Sequence, residues 1–168
     1  MPEEMFDVVD TDDRVLEQRP RSEVHRLKLL HRAVHVFVFN SRGELLIQLR
    51  SATKDEAPLT YTSSASGHVS AGETYEETAP RELREEVGLV APLRFVVKLP
   101  ASPELAREHS VLYETVCDDP PVPDPVECER VEFVDPDHLE AWIAREPQKF
   151  STPFLTLFRW YRANRRLS

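Results

Sequence analysis

The chain has no long apolar run. Its apolar stretches are short and interrupted, as in residues 33–39, where His35 falls inside the stretch. A membrane-spanning helix needs about 20 apolar residues. The acidic first ten residues also lack the apolar core of a secretion signal. We therefore expect a cytoplasmic protein that has no membrane partner.

Cysteine is scarce as well, and the net charge is negative. The two cysteines, Cys117 and Cys128, lack the CxxC spacing of zinc sites, so we expect two ordinary thiols in a reducing compartment. The formal net charge of −9 argues against a nucleic-acid polymer or an anionic membrane as a partner. A small anionic ligand is compatible with this charge if a bound cation or a local Arg/Lys cluster receives it.

Short strand patterns alternate with helix patterns along the 168 residues, and no repeat or linker divides them, so we predict one domain, 1–168. The order of the elements predicts an α/β (α+β) fold in which helices cover both faces of a mixed sheet. Residues 51–66 and 118–127 are predicted to be irregular. The regular elements are predicted as a hairpin over 6–19, strands over 33–39, 44–50, 93–99, 110–116 and 131–134, and helices over 74–87, 136–145 and 154–163.

Three glutamates, Glu82, Glu85 and Glu86, stand at spacings i, i+3 and i+4 on the predicted helix 74–87 and therefore share one face. Like charges at these spacings repel each other and destabilise an isolated helix. A Mg²⁺ ion reverses that effect, because it binds carboxylate oxygens together with substrate phosphates. The cluster thus indicates a divalent-cation site, and a solvated glutamate-rich face is the alternative.

The loop before this helix contains residues that would fix such a site. Arg81 can form a bidentate ion pair with a carboxylate, and Glu73 is the candidate partner. Such a pair would tie the loop to the helix. Gly67 and Gly72 would let the loop backbone turn tightly and approach the ion.

The ends of the helix are also marked in the sequence. Thr74 followed by Glu77 is a capping-box pattern, and Gly88 is typical of a helix C-cap. Pro80 falls inside the predicted helix, where it removes an amide donor and crowds the preceding turn. We therefore expect a late or kinked helix start.

Residues 67–89 match the pattern G-x5-E-x7-R-E-U-x-E-E-x-G-U, where U is apolar, at every specified position. The chain therefore resembles the Nudix hydrolase superfamily. That resemblance implies an α/β/α sandwich with a loop-helix-loop catalytic motif, and hydrolysis of a diphosphate linkage in a nucleoside diphosphate or a related small molecule. The implied ligands of Mg²⁺ or Mn²⁺ are three carboxylates and one backbone carbonyl: Glu82, Glu85, Glu86 and Gly67. Glu73 and Arg81 would orient this site.

The flanks are similar to one branch of that superfamily, the type 1 isopentenyl-diphosphate isomerases and their hydrolase-like relatives, over about residues 8–161. In the isomerases, histidines at the positions of His25, His31 and His68 bind a metal, so the resemblance implies a second metal site. Hydrogen bonding at a loop and at strand ends is the alternative. The catalytic cysteine of the isomerases is Ser66 here, which favours hydrolysis over isomerisation.

Two cations, Arg50 and Lys54, resemble isomerase positions that contact the substrate diphosphate. They are the candidate phosphate-binding residues, with ordinary surface charges as the alternative. An isopentenyl-diphosphate isomerase and a non-catalytic diphosphate-binding module are the rival functions. The resemblance also implies a homodimer.

Hydrolysis requires a carboxylate that accepts the proton of the attacking water. Glu85 and Glu86 are candidates within the motif. Glu108 is similar to a metal-binding glutamate of the isomerases and is a third candidate, with Glu114 as its competitor in the following strand.

Overall fold

The computed structural model describes residues 2–165, and positions 1 and 166–168 of the predicted domain lie outside the described residues. The described part forms nine strands and four helices. The strands are β1 (Met5–Val9), β2 (Val15–Pro20), β3 (His31–Phe39), β4 (Leu45–Arg50), β5 (Tyr61–Thr62), β6 (Ala65–His68), β7 (Arg94–Leu99), β8 (Glu108–Val116) and β9 (Cys128–Val134). The helices are α1 (Arg21–Arg26), α2 (Tyr75–Val87), α3 (Pro136–Arg145) and α4 (Thr152–Arg165).

The main sheet is mixed and is built around β3. Strand β8 runs parallel to β3 along its whole length, from the pair His31↔Glu108 to the pair Phe39↔Val116, and β7 is antiparallel to β8. Strand β6 is antiparallel to β3 on its other side. Strand β4 pairs with β3 only at Phe39↔Leu45 and then diverges to pair with β5 and β9. The sheet therefore opens between β6 and β5.

Helices cover both faces of this sheet, as the order of the elements predicts. Val34, Val36 and Val38 of β3 pack in one apolar cluster with Leu83 and Val87 of α2. The opposite face of the sheet forms a second cluster that contains residues of α3 and α4, and its members from β3, β8, α3 and α4 include Phe37, Leu112, Leu139, Ile143, Phe154 and Phe158. Burying a side chain of this size contributes about 1.5–3 kcal/mol, so the two clusters hold the three layers together.

Several elements differ from the sequence-based expectations. The stretch predicted as irregular contains β5 and β6, and the start of the predicted small-residue loop, Gly67, lies inside β6. Helix α1 was not predicted, because six residues are too short for a helical period to be read. Pro80 led us to expect a late or kinked helix start, and the late start is wrong: α2 begins at Tyr75, where the Thr74–Glu77 capping box holds its first turn.

The acidic segment 118–127 contains no helix or strand, in agreement with its composition. It packs against the end of α2: the amide of Val122 donates to the Val87 carbonyl at 2.8 Å, and the amide of Asp124 donates to the Glu86 carbonyl at 2.9 Å. Two carbonyls that a helix end normally leaves unpaired are thereby satisfied. The flanking thiols Cys117 and Cys128 are buried and unpaired, as expected.

None of the helices in residues 2–165 combines the length and the apolar content that crossing a bilayer requires. The apolar residues of α4 instead face the sheet, where Phe154, Leu157 and Phe158 are buried. This outcome agrees with the helical spacing of those residues in the sequence.

Thr74→Ala removes the N-cap of α2, whose hydroxyl accepts a hydrogen bond from the amide of Glu77 at 3.1 Å. We expect the free energy of unfolding to fall by about 1 kcal/mol, because a helix amide loses its partner. Chemical denaturation measures the change. Thr11→Ala, in the exposed turn between β1 and β2, is the control and should be neutral; an equal effect of both substitutions would contradict the capping role.

Candidate functional site

Helix α2 carries three glutamates on a flank beside its buried apolar stripe. The Glu82 side chain is 15% exposed and that of Glu85 is 51% exposed, whereas Glu86 is almost fully buried. Glu82 and Glu86 therefore face the protein interior and Glu85 stands at the rim. The spacing read from the sequence does bring the three carboxylates to one side of the helix.

The buried pair is held by defined hydrogen bonds. The amide of the Gln48 side chain donates to Glu86 Oε1 at 2.7 Å, and the backbone amide of Ser66 donates to the same oxygen at 3.2 Å. Burial raises the pKa of Glu86 well above its ordinary value, and the adjacent Glu82 raises it further. Burial also raises the pKa of Glu82. Two carboxylates in this position need a shared proton or a cation, since both cannot be charged at low cost.

Gly67 lies directly against Glu82. A Cβ atom at position 67 would be 2.3 Å from Glu82 Cδ and 2.6 Å from its Oε1. Because such distances are far shorter than any normal contact, the carboxylate keeps this position only while residue 67 is glycine. The strand pair Val34↔Gly67 fixes the backbone of β6 at this point.

The ion pair expected between Arg81 and Glu73 is present and is bidentate. Arg81 Nε donates to Glu73 Oε2 at 3.1 Å, and Arg81 Nη2 donates to Glu73 Oε1 at 2.8 Å. Burial alone would raise the pKa of Glu73, but the guanidinium holds it below its usual value. Arg81 Nη1 also contacts Glu82 at 3.1 Å and Glu85 at 3.2 Å. The arginine thus ties the loop and two of the glutamates into one network.

A cavity of about 670 Å³ lies where the sheet opens between β6 and β5. Of the residues that the sequence assigned to the Mg²⁺ site, to catalysis or to phosphate binding, eight line the cavity. Those eight are Arg50, Lys54, Gly67, Arg81, Glu82, Glu85, Glu86 and Glu108. Glu73 is the exception, since it stands behind Arg81 and does not line the cavity.

The cavity has a cationic wall. Arg50 lines it while its Nε donates to the Glu56 carbonyl at 3.0 Å, and Lys54 is paired with Glu127 at 2.5 Å. Arg21 of α1 also lines the cavity and was missed in the sequence because α1 itself was not recognised. These cations offset part of the negative potential that the glutamates create.

Three histidines meet beside the cavity, and one of them, His68, lines it next to Arg21. One ring nitrogen from each of His25, His31 and His68 lies within 4.8 Å of the other two. His31 Nδ1 lies 2.8 Å from the Leu29 carbonyl, which fixes Nδ1 as the protonated nitrogen and leaves a lone pair on Nε2 in the neutral ring. The Nε2 atoms of His25 and His31 are buried without a hydrogen bond. This donor set fits a transition-metal ion.

Glu108 belongs to this histidine group. Its Oε2 lies 2.7 Å from His68 Nε2 and 3.2 Å from His31 Nε2. Burial acts to raise the pKa of Glu108, but the two imidazoles hold it below its usual range. Glu114 does not reach the cavity, because its carboxylate accepts a hydrogen bond from Tyr161 at 2.9 Å on the α4 side of the sheet.

Three further polar residues belong to the site and were not identified from the sequence. His35 and Thr62 line the cavity, and Gln48 supports Glu86 from β4. Each of them is buried within or at the end of a strand. A polar residue inside an otherwise apolar strand is the sequence signal that could have identified such a residue, as for Gln48 between Ile47 and Leu49.

Comparison with known proteins gives one family and several full-length relatives. The model of the NUDIX domain matches residues 29–154. An isopentenyl-diphosphate Delta-isomerase of Serratia proteamaculans is 34% identical over 167 residues, which cover 96% of this chain and 93% of that protein. A prenyl-diphosphate phosphatase of Methanosarcina mazei is 32% identical over 155 residues, or 90% of each chain.

The solved structures agree with the sequence comparison. The crystal structure of DR0079 from Deinococcus radiodurans has a TM-score of 0.81 and 32% identity, and the match covers 93% of this chain and 98% of that chain. The likeness therefore extends over nearly the whole chain.

Gly67→Ala should push the Glu82 carboxylate out of its position while the strand β6 is kept. We expect the affinity for Mg²⁺, measured by calorimetry, to fall by about 10–100-fold, as it does when a ligand loses its orientation. Gly43→Ala is the control, because no atom lies within 4 Å of the added methyl and only backbone strain at φ +78 results. That variant should be less stable but bind Mg²⁺ normally. Unchanged affinity in Gly67→Ala would refute the close contact.

Proposed function

Because the chain belongs to the NUDIX domain family, we propose that it is a hydrolase that uses Mg²⁺ or Mn²⁺ to cleave a diphosphate linkage in a small molecule. The observation that carries the proposal is the pair of buried carboxylates, Glu82 and Glu86, in a cavity that also contains Arg50 and Lys54. Carboxylates bind the cation and the basic side chains bind phosphate oxygens. The relative named as a prenyl-diphosphate phosphatase supports a diphosphate substrate.

Different residues of the site bind the cation and hold the carboxylates in position. Glu82, Glu85, Glu86 and the Gly67 carbonyl would hold Mg²⁺, whose charge would make a water more acidic and would offset charge on the phosphoryl group. Arg81 holds the rim and interior carboxylates in fixed positions, and Glu73 holds Arg81. This network limits the reorganisation that is needed when the substrate enters.

We assign the binding of the substrate's phosphate oxygens to Arg50 and Lys54. Lys54 is paired with Glu127 in the protein, so a phosphate oxygen would replace that carboxylate as its partner. Arg50 is anchored by the Glu56 carbonyl through Nε, which leaves the other nitrogens of its guanidinium for the ligand. Both residues act by charge and hydrogen bonding alone.

Glu85 and Glu86 are the better candidates for the general base. The imidazoles of His31 and His68 stabilise the charged form of Glu108, which makes Glu108 a weak proton acceptor. Glu85 is at the rim, where water enters freely, and Glu86 is next to Glu82 inside the cavity. We therefore propose that the water proton goes to one of these two carboxylates.

Glu85→Gln and Glu86→Gln are each expected to lower kcat by about 10²–10⁴-fold, because an amide neither accepts the proton nor binds the cation as a carboxylate does. The assay is the release of phosphate from a panel of diphosphate compounds in the presence of Mg²⁺. Glu76→Gln, which is exposed in the first turn of the same helix, serves as the control and should stay active. Near-normal kcat in both the Glu85→Gln and the Glu86→Gln variants would refute the catalytic role of these two residues.

The isomerase reading is supported by the names of several relatives and by the histidine cluster. Ser66 argues against it, because a serine hydroxyl is a much poorer acid or base than the cysteine thiol that stands there in the isomerases. We therefore favour hydrolysis. Interconversion of the two five-carbon diphosphates without phosphate release would instead establish the isomerase function.

We propose in addition that His25, His31, His68 and Glu108 hold a second metal ion. The buried Nε2 atoms of His25 and His31, which lie beside the Glu56 and Glu108 carboxylates, support this proposal. We assign this ion a structural or electrostatic role, because other residues, Arg50, Lys54 and the α2 glutamates, are assigned to the diphosphate and to Mg²⁺.

Dialysed protein should retain about one equivalent of a transition-metal ion at the histidine cluster, measured by elemental analysis. His31→Ala and His68→Ala should lose that ion, because each removes one of the few ligands such a site offers. His138→Ala is the matched control, since His138 is exposed on α3. Equal metal content in all three variants would exclude the site.

The remaining expectations stay predictions. They are a single domain over 1–168, a cytoplasmic location, and a homodimer. The small-molecule diphosphate is the partner that the cavity and the relatives support.

A further inference from the structure

His35 is a buried side chain with one hydrogen-bonding atom left over. The residue is 4% exposed and lines the cavity, and its Nδ1 lies 2.8 Å from the Ser63 hydroxyl. Nε2 has no hydrogen-bond partner in residues 2–165, and it is not among the fully enclosed atoms that lack one. Its open side is therefore the cavity. Burial lowers the pKa of His35 to about 4, so the ring is neutral at physiological pH.

A free hydroxyl donor also lines the cavity. The amide of Phe154, in the first turn of α4, donates to the Ser151 hydroxyl at 3.4 Å, and Ser151 donates to Thr62 Oγ1 at 2.9 Å. The hydroxyl hydrogen of Thr62 has no partner in the described part of the chain. Thr62 and Ser151 both line the cavity. The chain of hydrogen bonds thus ends at the Thr62 hydroxyl, which can donate to an oxygen of a ligand.

The other lining residues disfavour two common ligand groups. Across residues 2–165 the cavity wall contains no Phe, Tyr or Trp, and its aromatic rings are the small imidazoles of His35 and His68, which are held by Ser63 and Glu108, so a nucleobase finds no large aromatic face on which to stack. The apolar part of the wall consists of Ala33, Ala57, Ala106 and Pro153. These small side chains give little apolar surface to a hydrocarbon chain, and the charged groups around them would have to be desolvated.

We propose that the group attached to the diphosphate is small and hydroxylated, a sugar or polyol, and that His35 and Thr62 bind its hydroxyl groups. A hydroxyl both donates and accepts, which matches a neutral imidazole nitrogen and a threonine donor. Register pairing puts His35 opposite Ser66, whose amide holds Glu86, so this subsite adjoins the cation-binding carboxylates. The proposal rests on the proposed hydrolase function and names its substrate class.

Three diphosphates with one attached group each test the proposal: phosphoribosyl diphosphate, ADP and dimethylallyl diphosphate. With Mg²⁺ and the release of phosphate as the readout, kcat/KM should be highest for phosphoribosyl diphosphate, by about ten-fold or more over each of the others. Comparable kcat/KM for all three compounds, or a preference for ADP or dimethylallyl diphosphate, would overturn the proposal while the hydrolase function stands. Absence of phosphate release from every diphosphate tested would instead overturn the hydrolase function.

A pair of substitutions separates the ligand role of His35 from a structural one. His35→Asn keeps an amide near the Nδ1 position, and hence the bond to Ser63, but does not reach the Nε2 position. It should lower kcat/KM for phosphoribosyl diphosphate by about 10–100-fold and leave dimethylallyl diphosphate unchanged. His35→Gln, whose amide extends to the Nε2 position, should restore most of the loss. Equal losses for both compounds would show that His35 only supports the fold.

Thr62→Val provides a second and nearly isosteric variant if position 35 does not tolerate substitution. It removes the free donor without changing the shape of the wall, and the same selective loss is expected. Unchanged selectivity in this variant would overturn the role of Thr62.

Discussion

Two buried carboxylates that stand side by side set the conditions for the rest of the site. Glu82 and Glu86 repel each other in a poorly solvated position, so hydrogen-bond donors in fixed positions must offset this unfavourable electrostatic energy. Gln48 and the Ser66 amide supply donors to one of them, and Arg81 supplies a donor to the other. Strand pairing, the loop and the helix cap are arranged so that these donors stay in place.

The sequence predicted the parts of this arrangement that are local. A helix converts spacings of three and four residues into neighbours on one face, so the glutamate cluster followed directly from Glu82, Glu85 and Glu86. The alternation along β3 likewise separates Val34, Val36 and Val38 from Phe37 and Phe39, and the two sets lie on opposite faces of the sheet. The match to the NUDIX domain model and the likeness of nearly the whole chain to a solved structure confirm the expected fold.

The parts that depend on tertiary placement could not be read in advance. Strands β5 and β6 have two and four residues, which is too few for a pattern, yet they form the opening of the sheet. Glu108 and Glu114 lie on the same strand, about 20 Å apart, and only the packing of the strand ends decides which of them reaches the cavity. His35 looked like an interruption of an apolar strand, because its partner Ser63 is brought near only by the fold.

The acidic segment 118–127 contacts two parts of the molecule that are distant from it in sequence, the end of α2 and Lys54. It pairs with the last carbonyls of α2, its Val122 lies 3.0 Å from where a side chain on Gly88 would begin, and its Glu127 neutralises Lys54. A change of length or charge in this segment is therefore transmitted to the metal-binding helix and to the phosphate-binding wall together. Divergence among related chains at this surface loop would retune catalysis and anion affinity in one step, without any replacement inside the signature motif.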